Sequence, residues 1–194
     1  LHLIELMSQK YAELMACEDE WYKESVQGIL SKINRIIYEH GLVETHLQGM
    51  GTTLSFMQFR KNKAWICHIG DSRIYRLRGE ELCCLTEDHS LANQLKHRYK
   101  LPKQSKKVYP YRHILTNALG SRPYVVPDIR DIPCEQEDLF CLCSDGLTNV
   151  VSDRDIRTIL TQYQTLEECG NTLISLANSR GGSDNITVVL VRIQ

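Results

Sequence analysis

The chain has 194 residues, a formal net charge of −1, 42% hydrophobic and 24% charged side chains. That is long enough for one sizeable domain with a hydrophobic core, and its charge gives no global electrostatic case for binding nucleic acid or an anionic membrane. No apolar run approaches the roughly 18 residues of a membrane-crossing helix, and Leu1 to Met7 lacks the basic-then-apolar layout of a signal peptide.

The first forty residues read as helical. Leu3, Leu6, Met7, Tyr11 and Leu14 predict a helix over Leu3 to Ala16. Val26, Ile29, Leu30, Ile33, Ile36 and Ile37 put one apolar stripe on a second helix from Trp21 to His40, with Gly41 as its expected stop. From Thr52 the period changes to two. Thr52 to Arg60 and Lys63 to Gly70 read as strands joined by a polar turn, and Ile74 to Arg78 and Glu81 to Leu85 as a hairpin around Gly79. Leu95 to Arg112 is basic and tyrosine-rich, and is expected to be a solvated loop or a flap that attracts phosphorylated substrates. Leu139 to Ser144 is a near-continuous apolar run suited to a central strand. Asp153 to Gln162 and Leu166 to Ser179 then predict helices, and Ile186 to Ile193 a final β-branched strand. Hairpins without regular βα alternation favour an α+β fold with helices packed over antiparallel sheets. No linker or internal repeat divides the chain, so residues 1–194 are expected to form a single domain.

Eight cysteines occur without a CxxC pair, so neither a zinc ribbon nor a thioredoxin-like site is signalled. Cys67, Cys141 and Cys143 fall inside apolar strands, where free cysteine acts as a small buried hydrophobe. A reducing cytoplasm is the expected compartment.

Asp71, Asp145 and Asp184 flank strand ends, Asp71 and Asp145 just after a predicted strand and Asp184 just before one. Exits and entrances of antiparallel neighbours share an edge, so the strands from Ala64 and Asp138 and the one from Ile186 are expected to bring the three carboxylates together. Carboxylate oxygens suit hard cations such as Mg²⁺ and Mn²⁺. Taken singly, each aspartate reads more readily as a turn residue than as a catalytic one. Gly49 and Gly51 read as positions of close backbone approach rather than a phosphate cradle. His89, with no evident partner in the sequence, reads as structural, and so do His68, Arg73 and Arg76.

Six segments occur in a particular order: Gly49-Met50-Gly51-Thr52-Thr53, Gly70-Asp71-Ser72-Arg73-Ile74-Tyr75-Arg76, Leu85-Thr86-Glu87-Asp88-His89-Ser90-Leu91, Ile114-Leu115-Thr116-Asn117-Ala118-Leu119-Gly120, Cys143-Ser144-Asp145-Gly146-Leu147-Thr148-Asn149 and Gly181-Gly182-Ser183-Asp184-Asn185-Ile186-Thr187-Val188. Together they resemble the bacterial form of the metal-dependent type 2C protein serine/threonine phosphatases. The resemblance implies an antiparallel β-sandwich with helices on both outer faces, in four α-β-β-α layers. It implies Asp145 and Asp184 as ligands of a binuclear Mn²⁺ or Mg²⁺ centre, Asp71 as a residue near a third, weaker ion, and Ser144, Gly146 and Asn185 as its support.

The chain departs from the family pattern at its start. It contains neither the arginine-bearing first strand nor the Asp-Gly-x-Gly-Gly-His segment whose Asp bridges both metals. Leu1 aligns with the helix that follows them, so the N-terminal strands are expected to be missing and the chain as given to be impaired or inactive. Tyr109 and Asn117 stand where relatives often have His and Arg. The activity implied is hydrolysis of phosphoserine or phosphothreonine in proteins by a metal-activated water. A phosphorylated protein and a serine/threonine kinase are the expected partners, with no nucleic acid and no membrane, and the chain is expected to be a monomer. A non-catalytic phosphatase-like scaffold for protein binding, and an unrelated metal-binding or nucleic-acid-binding module, are the alternatives.

Overall fold

The computed structural model describes Ser8, Lys10, Glu13, Leu14, Ala16, and residues 17–102 and 105–194, the side chain of Lys106 excepted. The elements in chain order are α1 (Asp19–Val43), β1 (Leu54–Arg60), β2 (Lys63–Ile69), β3 (Arg73–Arg78), β4 (Glu81–Cys84), α2 (Leu91–Arg98), β5 (Asp128–Pro133), β6 (Leu139–Cys143), α3 (Asp145–Thr148), α4 (Asp153–Gln162), α5 (Leu166–Ser179) and β7 (Val188–Arg192). Short 3-10 turns span Thr45–Leu47 and Lys106–Tyr111. The fold is α+β, with strand orders β1-β2-β5 and β4-β3-β6-β7 in its two sheets. Among the described residues, no helix is long and apolar enough to cross a membrane. Most of the predicted first helix, Leu3 to Ala16, lies outside the described residues. Of its five named positions only Leu14 is described, and it is buried.

The residues group into two compact units. One takes the described residues up to Leu54, with Ile66–Gly70 and His89–Arg130; the other takes Ser55–Trp65, Asp71–Asp88 and Asp131–Gln194.

In the first unit, α1 buries Tyr22, Val26, Leu30 and Ile33 along one stripe, as its periodicity requires. Two expectations fail on this helix. It runs through Gly41 to Val43, and Ile36 stands exposed while Asn34 is buried. Gly41 stays helical because the chain doubles back closely there: a Cβ would meet the Leu47 carbonyl oxygen at 3.3 Å. Asn34 is inward because its amide is fully used. It donates to the Arg122 carbonyl at 2.9 Å and accepts the Gly120 N–H at 2.8 Å, which removes the penalty of burying it.

The basic stretch from Leu95 is more ordered than a solvated loop. Its start is the end of α2, capped by the Ser90 hydroxyl, which accepts the Asn93 N–H. Lys96, His97 and Arg98 occupy the last turn, where cations complement the helix dipole. Farther along, Arg112 stacks on Tyr109 at 3.7 Å from the ring centroid.

In the second unit, the four-stranded sheet is antiparallel throughout, with β3 pairing both β4 and β6, and β6 pairing β7. Tyr75 and Leu77 of β3 and Leu139, Cys141 and Cys143 of β6 share one face, as alternation dictates. That face packs against Leu147, Val151, Ile156, Ile159, Leu160, Cys169, Leu173 and Ala177 from α3, α4 and α5. On the opposite face Phe140 meets Phe59 with ring centroids 5.6 Å apart. A strand covered on both faces accounts for the unbroken apolarity of 139–143. All eight cysteines are free thiols, with Cys67, Cys141 and Cys143 buried. Strand β5 is absent from the sequence reading: it buries Ile129 and Ile132, three residues apart, so no alternation announces it.

Candidate active site

The strand register of the second unit sets the positions of all three aspartates. Arg73, first in β3, pairs with Cys143, last in β6, and Cys143 pairs with Val188, first in β7. Asp145 thus follows the exit of β6, while Asp71 and Asp184 precede the entrances of its two neighbours. The expectation that Asp71 would owe its place to the exit of its preceding strand is corrected here: β2 lies in the other sheet, and the entrance of β3 does the placing. One exit and two entrances share the edge, not two exits and one entrance.

Ser144 fastens the β6 and β7 ends together. Its N–H donates to the Thr187 carbonyl at 3.1 Å. Its hydroxyl accepts the Thr187 N–H and donates to the Asn185 carbonyl, both at 3.0 Å. Next to it, Gly146 is buried with the Asp184-Asn185 backbone against it: a Cβ would overlap the Asn185 carbonyl oxygen and lie 3.4 Å from that of Asp184. Only glycine lets the two segments approach so closely. Asn185 takes part through its backbone, whose N–H donates to the Asp184 carboxylate at 2.7 Å. The Asp145 carboxylate accepts from the Asn149 side chain at 3.0 Å, a partner the sequence reading did not single out.

Asp71 is partly buried, and its carboxyl is pushed up to about 6. Burial contributes most, followed by the negative charges of Asp145 and Asp88, with its own N–H and Arg73 pulling the other way. Crowded anionic charge of this kind favours a cation. Arg73 is structural, as expected: its guanidinium holds Asp88 with two arms, Nε to Oδ1 at 2.8 Å and Nη2 to Oδ2 at 2.7 Å.

In the first unit, His89 has the partners that the sequence could not reveal. Its Nδ1 accepts the Gly70 N–H at 3.1 Å and its Nε2 lies 3.1 Å from an Asp128 carboxylate oxygen. These bonds assign the proton to Nε2. The ring tilts against buried His68 at 4.8 Å between centroids. Both histidines are therefore engaged structurally. Gly51 has the expected close approach, with a Cβ position 3.1 Å from the Leu119 carbonyl oxygen, whereas Gly49 has nothing within 4 Å and instead takes a positive φ of +77°.

Does this donor set fit a divalent metal? Carboxylate oxygens are the correct chemistry for Mn²⁺ or Mg²⁺, and the raised Asp71 carboxyl marks negative charge that a cation would relieve. The fit is to part of a coordination shell. Among the described residues, no group of three or more His, Cys, Asp and Glu side chains stands arranged to hold an ion by itself.

The order and spacing of these segments decide the family. The family model for Protein phosphatase 2C matches residues 2–179. The chain belongs to the protein phosphatase 2C family. Protein phosphatase PhpP of Streptococcus pneumoniae is 42% identical over 158 residues, which are 81% of this chain and 64% of that protein. Serine/threonine phosphatase stp of Listeria monocytogenes is 37% identical over 193 residues, covering 97% of this chain and 75% of the relative. The chain thus spans less than two thirds of the length of the pneumococcal relative. Among solved structures, the serine/threonine phosphatase of S. agalactiae superposes with a TM-score of 0.85 at 35% identity, over 97% of this chain and 81% of that one. The catalytic domain of the serine/threonine protein phosphatase PstP, solved in complex with two manganese ions, superposes at 0.81 with 31% identity, over 98% and 80%. These likenesses identify the fold as the α+β sandwich of the phosphatase 2C family.

Proposed function

We propose that this chain serves metal-dependent hydrolysis of phosphoserine and phosphothreonine in proteins, and that residues 1–194 act as a single phosphatase-type domain. The observation that carries this reading is the register of β3, β6 and β7, which sets Asp71, Asp145 and Asp184 at one sheet edge. Asp145 and Asp184 are the proposed ligands of two Mn²⁺ or Mg²⁺ ions, with Asp71 serving a third, weaker ion. The name of the manganese-bound relative supports that choice of metal. When bound, such ions activate water and neutralise charge on the phosphoryl oxygens.

The residues of the chain itself do the positioning. Ser144 and Gly146 hold the Asp184-Asn185 segment against the start of α3, and Asn149 orients the Asp145 carboxylate. A rigid sheet end keeps carboxylate spacing more constant than free loops would. The substrate is a phosphorylated protein, a serine/threonine kinase is the natural counterpart, the protein works as a monomer, and the cytoplasm is the compartment.

The test is turnover of a phosphothreonine peptide with added Mn²⁺ by the protein at its full natural length. Asp145→Asn and Asp184→Asn should each abolish it. Undiminished turnover in either variant refutes the assignment of that residue, and wild-type protein inert at every metal concentration refutes the enzyme reading in favour of a non-catalytic scaffold.

A further inference from the structure

We propose that the first turn of α4 is a brace, and that Asp155 and Arg180, with Tyr75 and Asp153, are positioning residues for the three aspartates. This inference rests on the metal-site reading above. It concerns residues outside the carboxylate set.

Two arms reach this turn, one from the segment after α5 and the other from the start of β3. Arg180 follows α5 and precedes Gly181 and Gly182 in the segment leading to Asp184. One of its guanidinium nitrogens donates to the Asp155 carboxylate at 2.6 Å and to the Val150 carbonyl at 3.0 Å. Beyond Arg180 come two glycines with positive φ, +125° and +48°. Both glycine N–H groups bond back to the end of α5, to the Asn178 and Ala177 carbonyls, and Arg180 is the last long side chain before Asp184. The other arm starts two residues past Asp71. Arg73 Nη1 donates to the Tyr75 hydroxyl at 3.1 Å, and that hydroxyl donates to the Asp153 carboxylate at 2.9 Å. Arg73 itself is fixed from behind by Asp88.

The brace is also tied to the third aspartate. Asp145 opens α3, and Val150 and Val151 lead directly from α3 into the Ser152 cap of α4. Ser152 and Asp155 form a reciprocal capping box that leaves the Asp155 carboxylate in a defined place. Both arms therefore converge on one rigid turn that is covalently close to Asp145.

Energy alone does not explain the arrangement. The Asp155–Arg180 pair is partly exposed, with side chains 33% and 39% accessible, and ion pairs of that kind add little stability. Their value lies in direction: they hold two loops at a set offset from a third. Groups bonded directly to metal ligands typically alter metal affinity by ~10–100-fold when removed; the brace acts one step further out, through the backbone segments that carry the ligands.

The experiment is calorimetric titration of Mn²⁺ into the protein at its natural length, with urea unfolding of the metal-free protein alongside. Arg180→Gln should weaken Mn²⁺ binding by ~10-fold, with the unfolding midpoint almost unmoved. Arg180→Lys should recover part of the loss. Tyr75→Phe, which removes one oxygen from an otherwise intact core ring, should weaken binding independently. Wild-type affinity in both Arg180→Gln and Tyr75→Phe overturns the brace. Asp145→Asn separates the two readings. If it binds Mn²⁺ as wild type does, the metal-site reading fails and the brace with it. If it loses binding while Arg180→Gln and Tyr75→Phe keep theirs, only the brace fails.

Discussion

Arg78 grips Asp138 with two parallel hydrogen bonds, Nε to Oδ1 and Nη2 to Oδ2, each at 2.7 Å. The carboxylate has no solvent exposure, whereas the guanidinium is about a third exposed. Burial alone would push the Asp138 carboxyl up, but the Arg78 guanidinium and the Glu135 N–H outweigh it and hold the group below its ordinary range. Asp138 sits immediately before β6, the strand on which the site is built.

Removing Arg78 should therefore cost far more than a surface ion pair. Arg78→Met leaves the buried Asp138 carboxylate with the Glu135 N–H but without its cation, and removing one partner of such a charge is destabilising. Urea unfolding at neutral pH measures the loss. Arg78→Met combined with Asp138→Leu should be more stable than Arg78→Met alone, because no buried charge remains.

Asp155 should make stability depend on acid. Its hydrogen bonds from Arg180, and then from Ser152, lower the carboxyl to about 2. A depressed folded-state value stabilises the protein above the unfolded-state value near ~4, and that contribution disappears as pH falls toward about 2. Solvent screens so exposed a group, so the difference between wild type and Asp155→Asn should be below ~1 kcal/mol at neutral pH. Unfolding curves of the two proteins should draw together below pH ~4.

Gly146→Ala tests packing rather than charge. The added methyl collides with the Asn185 carbonyl oxygen, which is backbone and yields only if the Asp184 segment moves. The expected cost is ~1–3 kcal/mol; under the function proposed above, phosphothreonine turnover by the protein at its natural length should fall by more than that figure explains. Comparing turnover with the unfolding midpoint separates the two effects.

Asn34→Leu should destabilise the first unit, even though it replaces a polar group in a buried position. The Gly120 N–H and the Arg122 carbonyl both lose their partner. Leaving a buried group such as the Gly120 N–H unsatisfied costs ~1–3 kcal/mol. Hydrogen exchange at the Gly120 amide should accelerate relative to wild type.

Helices α1, α4 and α5 were legible because their apolar stripes are local, whereas α2 and α3 were not foreseen. Asp153–Gln162 and Leu166–Ser179 are found at the predicted bounds, each opening on a Ser or Thr cap. The central strand 139–143 announced itself by its unbroken apolarity. The sequence missed β5 for the opposite reason, its two isoleucines being out of strand phase. Ile36 was read as inward and Asn34 was not read at all, because hydrophobicity carries no information about a hydrogen bond to a residue more than eighty positions away. At the site, the carboxylates stood out by their place at strand ends. Of their supports, Ser144, Gly146 and Asn185 came only with the family resemblance. Asn149, Asp88 and Asp153 are ordinary surface types in the sequence, and His89 gains its role only once Gly70 and Asp128 are folded beside it.

Strand β6 is flanked by β3 on one side and β7 on the other, and this makes it the common ruler of the domain. Inserting a single residue within Leu139–Cys143 would advance everything after it by ~3.3 Å and invert the facing of each side chain, so both neighbouring entrances would be misaligned at once. The Arg78-Gly79-Glu80 hairpin lies at the far end of β3 and can be lengthened without moving any of the three aspartates. Descendants of this sequence should consequently drift in length at that hairpin and hold the Leu139-to-Asp145 interval invariant.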